Sequence, residues 1–370
     1  MPPLLDNIFT AYGRNMMDQG FVSSAPTPSP GASSEMAAPS GVCASRPSGP
    51  LADLYAPILD DLLSAQHIFD QELISDLPFV NELCATIRTY RGKMLRPALL
   101  LLAAKACGGV SKSHHTLAAV IEMVHVATLV HDDVLDEADE RRRQPTVGAM
   151  AGNTAAVLVG DYLISHAFHL CGILDDHYAL RRIGKTTNTV CEGELLQNVQ
   201  RLRRDLTEKE YFDITQRKTG VLTATACELG AKLAGVDDAT VEALSDYGLW
   251  CGVAFQIVDD VLDIVGDEKQ IGKTLGRDFS LGKLTLPTIH CLANAAPETA
   301  AALRDALTAS NPGGPRRLHE WLAETDSIEY ALSAARAYVA DAVRQLDILP
   351  PSDAKTSLVA LTEFVVRRRF

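Results

Sequence analysis

From Leu51 onward the apolar residues recur at intervals of three and four. Leu54, Ile58, Leu62 and Leu63 share one helical face, as do Leu83, Ile87 and Tyr90. After Pro97 the run ALLLLAAKAC is apolar on every side. That predicts a helix buried all round and stopped by Gly108 and Gly109. Long helices are predicted over 114–136, 154–172, 178–201 and 239–265. Further helices follow over 286–295, 297–309, 314–324, 327–346 and 354–368. Thr207 and Glu210, three apart, read as a capping box that opens another. Pro145 marks a loop, and the polar stretch 266–283, punctuated by Gly, marks a second. No convincing run alternates with the period of two that a strand requires. The fold class is therefore all-α, with short connections that favour antiparallel neighbours.

Residues 22–50 break this pattern. They are rich in Pro, Ser, Ala and Gly, and cannot bury enough surface to offset their ordering entropy. Residues 1–50 are thus expected to be a disordered tail, with a short amphipathic turn near 4–12, and the folded domain to span 51–370. The composition is ordinary for a globular protein, with 47% hydrophobic and 22% charged residues. A net charge of −13 argues against a nucleic-acid partner. The eight cysteines form no CxxC pair, so they read as small buried hydrophobes in a reducing compartment. No run of eighteen uncharged apolar residues predicts a membrane span. The first residues lack the basic-then-apolar layout of a secretory signal. Residues 1–50 carry only Arg14 and Arg46 against three acids, which argues against a transit peptide. A cytoplasmic location is expected.

The chemistry concentrates in two identical pentads, Asp132-Asp133-Val134-Leu135-Asp136 and Asp259-Asp260-Val261-Leu262-Asp263. On a helix, the first and fifth carboxylates lie one turn apart on one face and repel unless a cation sits between them. Mg²⁺ is held by one or two carboxylates together with substrate phosphates, and such a face offers that. Two pentads predict two metal-binding walls facing one cavity. Basic and polar groups accompany them: Lys93 and Arg96 before the apolar helix, and Arg141 and Arg142 after the first pentad. Lys218-Thr219, Gln256, and Lys273 and Lys283 beside Asp278 complete the set. Together they describe a pocket for two diphosphates, one held through metal and one by Arg and Lys directly.

The stretches GKMLRP, EMVHVATLVHDDVLDEADERRRQPT, GNTAAVLVGDYL, GELLQ, RKTGVL and FQIVDDVLDIVGDEKQIGKTLGRDFSLGKLTLP resemble the trans-isoprenyl (polyprenyl) diphosphate synthases. The resemblance covers roughly residues 51–300. It implies an all-α bundle around a deep central cavity, usually homodimeric. It implies that Asp132, Asp136, Asp259 and Asp263 bind Mg²⁺ around the allylic diphosphate, with Asp133 and Asp260 in support. By the same resemblance, Arg141 contacts the allylic diphosphate and Arg142 the isopentenyl diphosphate. Lys93, Arg96 and His125 match the isopentenyl site, and Lys218, Thr219, Gln256, Lys273 and Lys283 surround the allylic substrate. The reaction implied is metal-assisted departure of diphosphate, attack by the isopentenyl double bond, and loss of a proton. Two positions depart from the pattern: Met94 stands where Arg is frequent, and Arg143 replaces a small residue.

In this family a bulky aromatic about five residues before the first pentad gives short products. Here that position is Ala127, followed by Thr128 and preceded by Val124. An open cavity and a product longer than four isoprene units, such as a quinone side-chain precursor, are expected. Tyr162 or Phe168 on the opposite wall could form a floor. Three other readings compete. One is a short-chain farnesyl or geranylgeranyl diphosphate synthase. Another is a non-catalytic subunit of a heteromeric synthase, against which two intact pentads argue. The third is a class I terpene cyclase, against which Lys93 and Arg96 argue.

Overall fold

The computed structural model describes residues 51–90, 92–201, 203–266, 276–307 and 314–367. The tail expected over residues 1–50 and the candidate Lys273 lie outside them. Short helical turns at Leu51–Leu54 and Ala56–Ile58 lead into α1 (Leu59–Glu72), α2 (Pro78–Tyr90), α3 (Leu95–Ala106) and α4 (Lys112–Leu135). A two-stranded hairpin, β1 (Glu140–Arg141) and β2 (Gln144–Pro145), precedes α5 (Val147–Ala151) and α6 (Asn153–Ile173). Next come α7 (His177–Gln200), α8 (Glu208–Thr215), a π-helical turn at Gln216–Gly220, α9 (Val221–Leu233) and α10 (Asp238–Val265). The chain closes with α11 (Arg277–Ser280), α12 (Leu286–Asn294), α13 (Pro297–Ala306), α14 (Gly314–Ala323), α15 (Ser327–Gln345) and α16 (Asp353–Arg367).

The all-α expectation holds, and local chemistry accounts for the helix starts. Thr207 accepts from the Glu210 amide while the Glu210 carboxylate accepts from the Thr207 amide. Asp176 and Asp237 cap α7 and α10 through the amides of Ala179 and Thr240. Four features were not legible in the pattern: the hairpin, the short α5, the π turn, and the short α11 inside a stretch expected to be loop. Each is too short for periodicity to register.

α3 is buried all round, with Leu99, Leu100, Leu101 and Leu102 fully enclosed, each worth about 2 kcal/mol of apolar burial. It packs against α9, α4 and α16, while α4 lies along α6. α10 runs through two apolar clusters. Val241, Leu244 and Tyr247 join the α3–α4–α6–α9 cluster, and Cys251 to Ile264 join a second with α12, α14 and α15. The C-terminal ends of α4 and α10, which carry the pentads, open onto one cavity between these clusters.

α6 is the one described helix long and apolar enough to cross a membrane by length and composition, although Asp161 keeps it from being a run of uncharged apolar residues. Only 39% of its apolar window is buried, and Leu158 and Ile173 are largely exposed. Five of the seven described cysteines are buried, as their apolar settings predict.

Candidate active site

A cavity of about 1270 Å³ is walled by the ends of α4 and α10, the hairpin, the π turn and the segment 276–285. Every candidate catalytic, metal-binding and substrate-binding residue among the described residues lines it. These are Lys93, Arg96, His125, Asp132, Asp133, Asp136, Arg141, Arg142, Lys218, Thr219, Gln256, Asp259, Asp260, Asp263 and Lys283.

Both pentads sit in the last turns of their helices, where unpaired carbonyls add to the negative charge. Cations therefore converge on them. The Lys283 ammonium donates to both oxygens of Asp136, at 2.8 and 2.9 Å, and Arg277 Nη2 donates to the Asp136 carbonyl at 2.9 Å. Lys218 is carried on the π turn. It bonds to Glu194 and to Gln197 Oε1 at 3.0 Å, and stands 3.6 Å from Asp132. A Cβ at Gly193 would lie 2.8 Å from Arg217 Cβ and 2.9 Å from the Lys218 nitrogen, so only glycine lets α7 approach this turn. Burial pulls the Lys218 ammonium down, but Asp132 and Glu194 together hold it above its ordinary value. Burial pushes the Asp132 carboxyl up; Lys218 opposes this, while Glu194 and Asp136 add to it.

The second aspartate of each pentad behaves differently from its neighbours. Asp133 is buried and accepts from Arg141 Nε at 2.9 and 3.0 Å, from Arg141 Nη2 at 2.7 Å and from the Tyr90 hydroxyl at 2.7 Å. Asp260 is buried and accepts from the Tyr211 hydroxyl at 2.6 Å and from Gln256 Nε2 at 2.8 Å. Gln256 Oε1 accepts in turn from the Thr219 hydroxyl at 2.9 Å. Burial and Asp278 push the Asp260 carboxyl up, while Tyr211 and Gln256 pull it down. Asp263 accepts from the amides of Arg277 at 3.3 Å and Asp278 at 3.1 Å, so it also anchors the start of α11.

Arg141 ends β1, and the two-residue turn that follows is Arg142–Arg143, with φ of 52° and 62°. Such a turn favours Asn-Gly, and an ordinary side chain there costs about 1 kcal/mol per residue. The departure at Arg143 from a small residue therefore has a physical cost. The strain orients Arg142, whose Nη1 donates to the Tyr90 carbonyl at 2.6 Å. A Cβ at Gly92 would lie 2.3 Å from Arg142 Nη2, so that glycine makes room for the guanidinium. Met94, the other departure, is buried and left-handed at φ 51°.

The remaining wall is basic. Arg96 Nη1 lies 2.9 Å from His125 Nε2, and Arg96 Nε has no hydrogen-bond partner. Burial, then Arg96, Arg141 and Arg142, holds His125 well below its ordinary value, so the ring is neutral and accepts from Arg96. Glu122, buried beside this group, draws the Arg96 and Arg142 guanidiniums back up against burial. Lys93 stands 5.8 Å above the Phe364 ring.

Among the described residues, no group of three or more His, Cys, Asp or Glu side chains could hold a metal ion by itself. The donors nevertheless fit Mg²⁺, a hard cation that completes its shell with water and substrate phosphate oxygens. Chemically, the cavity presents carboxylate edges on two sides and at least five cationic groups between them. That arrangement suits two polyanions and a divalent ion.

Three candidates do not join the wall. Ala127 and Val124 are enclosed in the apolar cluster, and Thr128, half-buried, donates its hydroxyl to the His125 carbonyl at 2.7 Å. On α4 the cavity wall is formed by Glu122, His125 and Leu129 and by the pentad. Tyr90, Tyr211, Glu194, Gln197 and Arg277 were not among the candidates. Glu194 and Gln197 carried a signal as part of GELLQ, and Arg277 as part of the stretch FQIVDDVLDIVGDEKQIGKTLGRDFSLGKLTLP.

Residues 78–324 match the family model described as Polyprenyl synthetase. The octaprenyl diphosphate synthase of Escherichia coli is 37% identical over 302 residues, spanning 80% of this chain and 93% of that protein. The geranylgeranyl diphosphate synthase of Methanosarcina mazei is 34% identical, over 75% and 86% respectively. A polyprenyl synthase from Caulobacter crescentus, solved with calcium and isoprenyl diphosphate, superposes with a TM-score of 0.83 at 34% identity. That match covers 88% of this chain and 100% of the other. With these matches, and with both pentads on one cavity, the chain belongs to the polyprenyl synthetase family and is a prenyl diphosphate synthase, a transferase.

Proposed function

We propose that the enzyme condenses isopentenyl diphosphate with an allylic diphosphate, with Mg²⁺, to an all-trans product longer than four isoprene units, a quinone side-chain precursor. The observation that carries the diphosphate reading is the single cavity with two carboxylate faces and interposed Arg and Lys. Asp132, Asp136, Asp259 and Asp263 would hold Mg²⁺, which supplies Lewis-acid neutralisation of the leaving diphosphate. Arg141, Lys218, Thr219, Gln256 and Lys283 hold the allylic diphosphate, and Lys218 and Arg141 stabilise its developing charge. Lys93, Arg96, His125 and Arg142 hold the isopentenyl diphosphate and orient its double bond toward the allylic carbon. The proton lost in forming the new double bond goes to the released diphosphate.

Octaprenyl relatives and the small Ala127 favour a long product. A short-chain reading is favoured by one observation: Val124, Ala127 and Thr128 lie off the cavity wall. Incubation with labelled isopentenyl diphosphate, Mg²⁺ and allylic primers of several lengths, followed by sizing of products, decides between them. Products ending at farnesyl or geranylgeranyl length would refute the long-chain proposal. Absence of any condensation would refute the substrate assignment.

We further propose a homodimer formed through α6 and α7. Leu158, Ile173, Leu195 and Val199 are 62%, 65%, 66% and 78% exposed, an apolar area that association would bury. Sedimentation at a single chain's mass would refute it. Residues 51–370 act as the catalytic domain and the location is cytoplasmic.

A further inference from the structure

Two tyrosines outside the pentads occupy matching places. Tyr90 is the last residue of α2 and donates to Asp133 at 2.7 Å. Tyr211, in α8, donates to Asp260 at 2.6 Å. Both pairs are buried: Tyr90 and Tyr211 are 2% and 5% exposed, Asp133 and Asp260 5% and 4%. The Val147 amide donates to the Tyr90 oxygen at 3.3 Å, which leaves the phenolic hydrogen for Asp133. Hydroxyl-to-carboxyl bonds of this length are short, and a buried partner left without one is costly.

The position of each pair matters more than its strength. Each tyrosine grips the second residue of a pentad, next to Asp132 or Asp259. Helix ends fray readily, because their last carbonyls lack intrahelical partners. A tie to another helix opposes that fraying where the cavity-facing carboxylates need a fixed direction. Each gripped aspartate also passes the constraint onward. Asp133 holds the Arg141 guanidinium, and Asp260 holds Gln256, which holds Thr219.

We propose that Tyr90 and Tyr211 are positioning residues: each hydroxyl locks the second aspartate of one pentad, and so aims both the neighbouring cavity-facing carboxylates and the side chain that aspartate holds. The proposal rests on the reading that the cavity binds diphosphate with a divalent cation. The two locks differ in one respect. Asp133 keeps a guanidinium if Tyr90 is altered, whereas Asp260 keeps only a neutral amide if Tyr211 is altered.

The test uses the full chain carrying Tyr90→Phe or Tyr211→Phe, which remove one oxygen and keep the ring. Binding of Mn²⁺ in the presence of inorganic diphosphate, followed by electron paramagnetic resonance, reads the site without turnover. Each variant should bind about tenfold more weakly with its circular dichroism unchanged, and Tyr211→Phe should lose more. In an Asp133→Asn background, Tyr90→Phe should add no further loss, and likewise Tyr211→Phe in Asp260→Asn. A purely structural role for the rings would leave Mn²⁺ affinity per folded molecule untouched. Unchanged affinity in the tyrosine variants would overturn the proposal, as would losses that add fully in the double variants. If one variant does not fold, the other pair supplies the same readout. A wild-type chain that binds no Mn²⁺–diphosphate would overturn the diphosphate reading instead.

Discussion

Adjacent aspartates of the first pentad should respond in opposite ways to the same substitution. Asp132→Asn removes a carboxylate that burial, Glu194 and Asp136 already disfavour. Its nearest cation, Lys218 at 3.6 Å, keeps Glu194 and Gln197. The metal-free protein should therefore change by no more than about 1 kcal/mol, or gain slightly. Turnover should nevertheless fall by at least about a hundredfold, because a cavity-facing carboxylate is lost. Asp133→Asn removes a charge that faces donors only: Arg141 Nε and Nη2 and the Tyr90 hydroxyl. An amide NH₂ cannot accept from any of them, and Arg141 loses its hydrogen-bonded counter-charge, keeping only the weaker attraction of Asp132. Losing one partner of a buried pair costs about 3–5 kcal/mol. The Arg141 side chain keeps 16% exposure to the cavity, which places the cost near the lower end, about 3 kcal/mol. For a chain of 370 residues that corresponds to a melting midpoint lower by roughly 4 °C. The assay pairs thermal melting with chelator present and steady-state incorporation of labelled isopentenyl diphosphate. Equal melting midpoints for the two variants, or a lower one for Asp132→Asn, would falsify the division of labour within the pentad.

Arg143→Gly should relieve the left-handed turn and raise stability by up to about 1 kcal/mol, with turnover kept; a lower melting midpoint would show that the turn is not strained. Ala127→Phe should shorten the product at a stability cost of about 1–3 kcal/mol, because its site is fully enclosed, and an unchanged product ladder would sink the role of Ala127 in chain length. His125 is held neutral in the folded state by burial and three guanidiniums, so the unfolded chain alone takes up its proton as pH falls below about 6.5. Stability should thus drop by up to about 1.4 kcal/mol per pH unit from this residue, and His125→Gln should flatten the melting-versus-pH curve between about 6.5 and 5; identical slopes would refute the assignment. Chelation of divalent metal should abolish condensation, and metal-independent product formation would contradict the proposed mechanism.

The helices were legible because their apolar spacing repeats over many turns, and the cavity's two acidic walls because the pentads repeat letter for letter. That repetition also conceals the distinction between carboxylates. Asp132 and Asp133 are the same residue in adjacent positions. What separates them is a rotation of about 100° around the helix, which turns one toward the cavity and the other toward Tyr90. The partner comes from 43 residues away for Asp133 and 49 for Asp260, distances at which no local pattern operates. Arg142 and Arg143 illustrate the opposite case. Their excess charge was visible, but it gave no hint of a tight turn that disfavours both side chains. The run of arginines reads as cations for the pocket, and the fold holds Arg142 and Arg143 there in a conformation their side chains disfavour. In a chain of net charge −13, the backbone is held in an unfavourable region at a point where cations meet the cavity. Local propensity and the site's electrostatics disagree at that turn, and the electrostatics prevail because the turn is short and the rest of the bundle determines where it must lie.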